Sequence, residues 1–272
     1  MYLTTARSLE LATAASIIIL LTLAYVAPIQ ETYHPLNTDW NGCSNLIKVA
    51  ERSTILLSYD KLQTSEQGLL AIIGPGLTFS EYEATVVSAF MHAGGIVLLA
   101  DDFGTGNSLL ELLAVPARFS GEQIADMLYF SRDPRFPLIH NISRSPVTFN
   151  VTMILMGQPS YIRVENSSAV ASLASSSPFS FIDSVGNGKP SVNETVGSYP
   201  VIAKMNMGNG TIILVSNARA FSNDLLATFD NLRFFANLLR MGNNTLFLDA
   251  AHLERAPLTD ARLELRKAID SL

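Results

Sequence analysis

The sequence predicts an α/β fold: a mostly parallel sheet with a β-rich insertion at about residues 114–200, preceded by one transmembrane helix. Three observations carry the prediction. Short runs that are apolar throughout, "LLAIIG" (69–74) and "GIVLLA" (95–100), suit strands covered by helices on both faces. An amphipathic stretch with its own start and stop signals separates them, giving the β-α-β order of a right-handed crossover. The stretch "LATAASIIILLTLAYVAPIQ" (11–30) carries no charge at all.

That apolar stretch sets the expected organisation. At about 1.5 Å per helical residue, its core comes close to crossing a hydrocarbon layer of roughly 30 Å. The division is therefore a short cytoplasmic N-terminus (1–10), a transmembrane signal-anchor (11–28), a linker (29–43) and an α/β ectodomain (44–272). A cleaved signal peptide is the competing reading, with Thr22-Leu23-Ala24 as its best cleavage pattern, but the apolar run is longer than such a segment needs. Arg7 precedes the run while Glu31, His34 and Asp39 follow it, so the positive-inside rule places everything after Pro28 outside a cell membrane crossed once. Six acceptor sequons, at Asn141, Asn150, Asn166, Asn193, Asn209 and Asn243, all lie beyond the run and make the expected product a glycoprotein.

Composition narrows the chemistry. The formal net charge is −6 and no Lys/Arg block occurs, which argues against a nucleic-acid partner. The single cysteine, Cys43, excludes an internal disulfide framework and any zinc site built from several cysteines. No sequence feature asks for a cofactor or a metal.

Along the chain, "ETYHPLNTDWNGC" (31–43) reads as an ordered linker anchored by the one tryptophan. A short helix is expected over Ser44–Arg52 and a strand over "TILLSY" (54–59). After the "GPG" turn, Thr78 with Glu81 and Ser80 with Glu83 each match a capping box. Tyr82, Val86, Val87, Phe90 and Met91 then form a helical stripe that ends at Gly94. Ser108 with Glu111 matches another capping box. In the insertion, "VTFNVTMIL" (147–155) and "YIRVE" (161–165) alternate as short strands do. Further on, "PVIAKMNMGNGTIILVSN" reads as a hairpin turning at Gly208-Asn209-Gly210. A helix over "NDLLATFDNLRFFANLLRMG", a strand "NTLFLDAAH" and a charged helix "LTDARLELRKAIDSL" close the chain.

In an open parallel sheet, ligands bind beyond the carboxyl ends of the strands. That rule gathers Asp101, Asp102, Asn217, Asp249 and His252 as candidate ligand-binding residues, beside Asp60, Ser216 and the Gly74-Pro75-Gly76 turn. Two readings stay open for them: a cation or polar-ligand site, or carboxylates that cap helices and satisfy turns. The "DFG" at Asp102-Phe103-Gly104 lacks the strand lysine and "HRD" loop of a kinase, and "GTGN" lacks the glycine and lysine of a phosphate loop. No G-x-S-x-G elbow occurs.

Taken together, "HPLNTDWNGCSNL", "LLAIIGPGLTFSEYEATVVSAFMHAGGIVLLADD" and "GNGTIILVSNARAFSNDLLATFDNLRFFANLL" resemble a prokaryotic family, the domain of unknown function 4350. That family is similar to the class I glutamine-amidotransferase-like fold and to gliding-motility accessory domains. The resemblance implies a flavodoxin-like sheet displayed outside a membrane anchor as a binding or accessory module. An amidotransferase needs a cysteine at the elbow after a central strand. Here Gly74-Pro75-Gly76 or Asp101-Asp102 stand at such positions, so that activity is not expected. The function expected is non-catalytic binding of a protein partner or a surface glycan. A metal-assisted hydrolase at the strand ends is the alternative.

Overall fold

The computed structural model describes residues 2–26, 28–62, 67–257 and 259–263, with side chains in the first helix described over 7–22. The chain builds one eight-stranded mixed sheet with helices on both faces. In chain order its strands are β1 (Arg52–Leu56), β2 (Leu69–Ile73), β3 (Ile96–Ala100), β4 (Asn141–Ile142), β5 (Ala171–Ser175), β6 (Pro200–Met207), β7 (Gly210–Val215) and β8 (Thr245–Asp249). The helices are α1 (Tyr2–Val26), α2 (Ser44–Val49), α3 (Glu81–His92), α4 (Asn107–Leu112) and α5 (Asn231–Met241).

Across the sheet the order is β1-β8-β2-β3-β7-β6-β5-β4. From β1 to β7 every pairing is parallel, and from β7 to β4 every pairing is antiparallel. This corrects the mostly parallel, flavodoxin-like expectation. Helical crossovers such as α3 and α5 return the chain to the same end and make neighbours parallel, whereas the two-residue turn at Gly208-Asn209 can join only antiparallel strands. The insertion supplies β4 and β5 and so extends the sheet.

The uniformly apolar strands are explained by two cores, because successive side chains of a strand point to opposite faces. Leu69, Ala71 and Ile73 of β2 pack with Ile96 and Leu98 of β3 and with Phe234, Phe235 and Leu238 of α5. Leu70 and Ile72 pack on the other face with Val97, Leu99 and Val87, Phe90 and Met91 of α3.

The transmembrane anchor expected at 11–28 is overturned: among the described residues no helix is long and apolar enough to cross a membrane. Arg7 and Glu10 stand in the first turns of α1, and its charge-free run begins only at Leu11. The positive-inside argument that placed the domain outside a cell rested on that anchor and loses its premise, and the glycoprotein reading of the sequons gains no support. Asn141, Asn150, Asn166, Asn193, Asn209 and Asn243 are all exposed, as asparagines ordinarily are, and exposure does not make a glycoprotein.

Smaller expectations divide. Ser80 and Glu83 form the capping box of α3, with Glu83 Oε2 accepting the Ser80 N–H at 2.8 Å. Thr78 takes no part, since Glu81 is already the first helical residue. The box expected at Ser108 is absent because α4 starts at Asn107 and Asp101 accepts the Gly106 N–H at 2.7 Å. The late helix starts at Asn231, nearer its end than expected. Asp230 is drawn away to the Thr152 and Met153 N–H groups, and the Asn231 amide bonds both backbone groups of Leu155. Within the two alternating segments expected in the insertion, Ile154–Leu155 and Ile162–Val164 form the strands. The last expected helix (258–272) is helical at 259–263, and the rest of it lies outside the described residues.

Candidate functional site

The strand ends divide the candidate residues into two groups. Asp101, Asp102 and Asn217 lie beyond β3 and β7, while Asp249 ends β8 and His252 lies just beyond it. The sheet order is the reason, because β2 separates β8 from β3 and strands are spaced about 4.8 Å apart. Among the described residues no three His, Cys, Asp or Glu side chains group as metal ligands.

Asp101 spends its carboxylate on its own loop. Its oxygens accept the N–H groups of Phe103 (2.9 Å), Gly104 (3.1 Å) and Gly106 (2.7 Å), which folds 102–106 into a tight turn and starts α4. Burial raises its pKa above the ordinary carboxyl range, with these three bonds pulling the other way. Asp102 is buried and accepts the Asn217 amide at 2.7 Å and the Ala218 N–H at 3.1 Å. Burial pushes its carboxyl up to about 7, against the pull of those two donors. Asn217 also bonds the N–H and C=O of Gly157, both at 2.9 Å, so one amide ties β7 to β3 and to the insertion. Ser216 is wholly buried and donates to Ser160 C=O at 2.9 Å.

The second group is a buried lock. His252 Nδ1 lies 3.2 Å from each Asp249 oxygen and its Nε2 lies 3.3 Å from Glu83. Phe79 stacks on the imidazole at 3.7 Å and Tyr59 meets it edge-on at 5.2 Å. Burial works to lower the imidazole pKa, but Asp249 and then Glu83 outweigh it and hold it above the ordinary value. The His252 carbonyl accepts the Gly76 and Leu77 N–H groups, so the lock also fixes the "GPG" turn. Asp60 sits apart, accepting the Tyr82 hydroxyl at 2.8 Å.

Only the first group borders open space. Two adjoining cavities of about 500 and 150 Å³ share Thr32, Tyr33, Asp102 and Phe103. Gly74, Pro75 and Asp101 line the larger, and Trp40, Gln158 and Arg219 line the smaller. A groove of about 650 Å³ runs between α3 and α4, but it lies away from the strand ends and no Phe, Tyr or Trp lines it.

The outer wall of the crevice is the linker, folded as a strap. Asn37, buried, bonds Glu31 C=O, the Asn41 side chain and the Asp39 N–H. Asn223 grips the same strap through Asp39 C=O (2.7 Å) and Asn37 C=O (3.1 Å). At the other end Glu31 accepts the Ala256 N–H and the Thr259 hydroxyl. Tyr33 adopts φ +61° and lays its ring on Gly74, where a Cβ would meet Tyr33 Cδ2 at 2.2 Å. Trp40 is 61% exposed and Phe103 85% exposed at the rim. The Arg219 guanidinium lies between the rings of Trp40 (5.1 Å) and Phe136 (5.2 Å) and pairs with Asp224 at 2.8 Å.

Tyr33, Trp40, Phe103 and Arg219 were not among the residues the sequence singled out. The single tryptophan in a polar linker was the one signal that pointed toward them. Cys43 is fully buried, its Sγ 3.6 Å from Phe221 O, and burial pushes its thiol well up, which removes it as a nucleophile.

The model of DUF4350, a family described as a domain of unknown function, matches residues 35–239. An uncharacterised protein in the nifH1 5′ region of Methanothermococcus thermolithotrophicus is 37% identical over 68 residues, which is 24% of this chain and 70% of that protein. Among solved structures, the mmIFT52 N-terminal domain superposes with a TM-score of 0.52 at 16% identity, covering 69% of this chain and 81% of that one, a likeness of fold alone. The exo-β-1,4-mannosidase Op5Man5 of Opitutaceae bacterium strain TAV5 gives a TM-score of 0.34 at 13% identity. It covers 62% of this chain and 24% of that one, too little for any argument.

Proposed function

The chain belongs to the DUF4350 family, and from that premise we propose that it is a non-catalytic binding module that takes a glycan in the crevice beyond β2 and β3. The observation that carries the proposal is the pairing of an open crevice with polar groups already committed. Asp101, Asp102 and Asn217 spend their hydrogen bonds on holding loops, and His252 is shut inside the fold. Asp101 and Asp102 reach the crevice, but their oxygens are spent on the 102–106 turn, Asn217 and Ala218, whereas a general base or nucleophile needs such lone pairs for its substrate. The amidotransferase-like part of the resemblance contributes no chemistry, since the residues at the elbow positions are turn glycines and loop-bound aspartates.

The crevice suits a small polar ring. Its volume lies in the range of roughly 300–1,000 Å³ typical of small-ligand sites. Trp40 and Phe103 offer exposed aromatic faces at its rim, and a pyranose presents an apolar C–H face to such rings with hydroxyl groups at its edge. Asn41, Gln158, Ser222 and the Arg219 guanidinium line the smaller cavity as partners for hydroxyls.

Trp40 is the only tryptophan in the chain, so intrinsic fluorescence reports directly on the proposed site. The full chain is titrated with members of a glycan panel that it retains. Ligand binding shifts the Trp40 emission, and Phe103→Ala weakens the titration without lowering the melting temperature. Glycan retention with no change at Trp40 and none from Phe103→Ala would place the ligand elsewhere, and retention of no glycan would end the reading.

A further inference from the structure

At the opposite, amino-terminal edge of the sheet, we infer that a groove of about 590 Å³ between the 144–149 turn and the end of α5 is a docking site for an acidic peptide segment bearing an apolar side chain. Gly242, just after α5, packs against the backbone of Gly68 and Leu69, which places this groove at the end of β2 away from the crevice. Arg144, Pro146, Phe149, Asn237, Arg240 and Met241 line it, and no carboxylate does.

Two features argue for the occupant. The first is charge. Several arginines elsewhere are committed: Arg135 to Asp133, Arg163 to Glu122, Arg219 to Asp224, Arg255 to Asp260, and Arg118 to the Val115 and Ala117 carbonyls. The Arg144 side chain has no hydrogen bond or ion pair among the described residues, and the Arg240 guanidinium has a single long contact, 3.4 Å to Asn237. In a chain of net charge −6, two uncommitted guanidiniums beside one groove are a local reversal of sign. Such groups bind carboxylates through paired N–H donors.

The second feature is a fixed apolar surface. Phe149 is 62% exposed and Met241 38% exposed. The turn that presents Phe149 is rigidly held. The buried Asn237 amide donates to Val147 C=O (3.1 Å) and Phe149 C=O (2.8 Å). The Thr148 hydroxyl accepts the Ser145 N–H (2.9 Å) and donates to Ser143 C=O (2.6 Å). A pre-organised aromatic beside arginine is the composition of an interface anchor. Two cations are too few to follow a run of phosphates, so a nucleic acid fits worse than a peptide.

The test is fluorescence anisotropy with the full chain and three labelled probes: a peptide alternating Glu and Leu, the same peptide with Gln for Glu, and a thymidine oligonucleotide. The Glu peptide binds, and weakens as ionic strength rises from about 0.05 to about 0.3 M. The Gln peptide binds at least about tenfold more weakly. Arg144→Gln with Arg240→Gln costs the Glu peptide about tenfold, and Phe149→Ala also weakens it. Thermal melts check that these surface variants remain folded. If the double variant melts early, the single variants Arg144→Gln and Arg240→Gln are each tested and should each weaken the Glu peptide, while Phe149→Ala alone still tests the groove. The inference is overturned if the Glu peptide does not bind, if the Gln peptide binds equally, if the folded double variant binds unchanged, or if the oligonucleotide binds at least as tightly.

Discussion

Asp102 should make the stability of this protein fall as pH rises from 4 to 8. Its side chain is buried between Asn217 and Ala218, and burial pushes its carboxyl from the ordinary 3.8 up to about 7. The folded state therefore holds a proton that the unfolded chain releases. A group of this kind contributes its full stability below the unfolded pKa, near 3.8, and loses it as pH climbs through about 7. At about 1.36 kcal/mol per pKa unit, the shift from 3.8 to about 7 corresponds to about 4 kcal/mol. The variant Asp102→Asn keeps the shape of the side chain but cannot ionise. Any mismatch of its amide with the two donors is the same at every pH. Unfolding free energies from urea titrations at intervals from pH 4 to pH 8 give one curve for each protein. The wild-type value minus the variant value should fall by about 4 kcal/mol over that span, and subtraction removes what His252 contributes to both. A difference that changes by less than about 1 kcal/mol would refute the reasoning, because Asp102 would then ionise inside the fold as it does outside it.

Two further outcomes follow from the same crevice. Asn217→Ala strands the Gly157 N–H and C=O and removes one donor from Asp102, so a loss of about 2–5 kcal/mol is expected. At about 2–4 °C per kcal/mol for a chain of this size, thermal circular dichroism should show melting lowered by roughly 4–20 °C. Gly74→Ala puts a methyl 2.2 Å from the Tyr33 ring at a φ of +60°, costing about 1–2 kcal/mol for the backbone alone. The displaced strap should shift Trp40 emission in the absence of any ligand, and an unshifted spectrum would mean that the strap yields without moving the crevice wall.

Much of the fold was legible because its causes are local. The all-apolar runs at 69–73 and 96–100 are strands buried on both faces, and the Ser80–Glu83 pair is a capping box that needs only four consecutive residues to form. The tight Gly208-Asn209 turn similarly declares an antiparallel hairpin. Asp101 and Asp102 were also found at the sheet rim, because a residue just past an apolar strand must emerge there.

What the sequence by itself determined, then, was the set of elements and which residues end each strand. Only the tertiary structure decided which of those ends meet. Asp249 and Asp101 look equivalent along the chain, yet β2 runs between their strands, and one joins a buried imidazole while the other closes its own loop. The linker offers no periodicity to read, and its role as crevice wall depends on Asn223 and Thr259, each more than 150 residues away in sequence. Helix α1 shows the same divide: a charge-free run is visible in the sequence, but among the described residues no helix is long and apolar enough to cross a membrane. Capping boxes, turns and strand patterns are set by neighbours a few residues apart. Sites are set by which strands the crossovers bring side by side, and that is a property of the whole sheet.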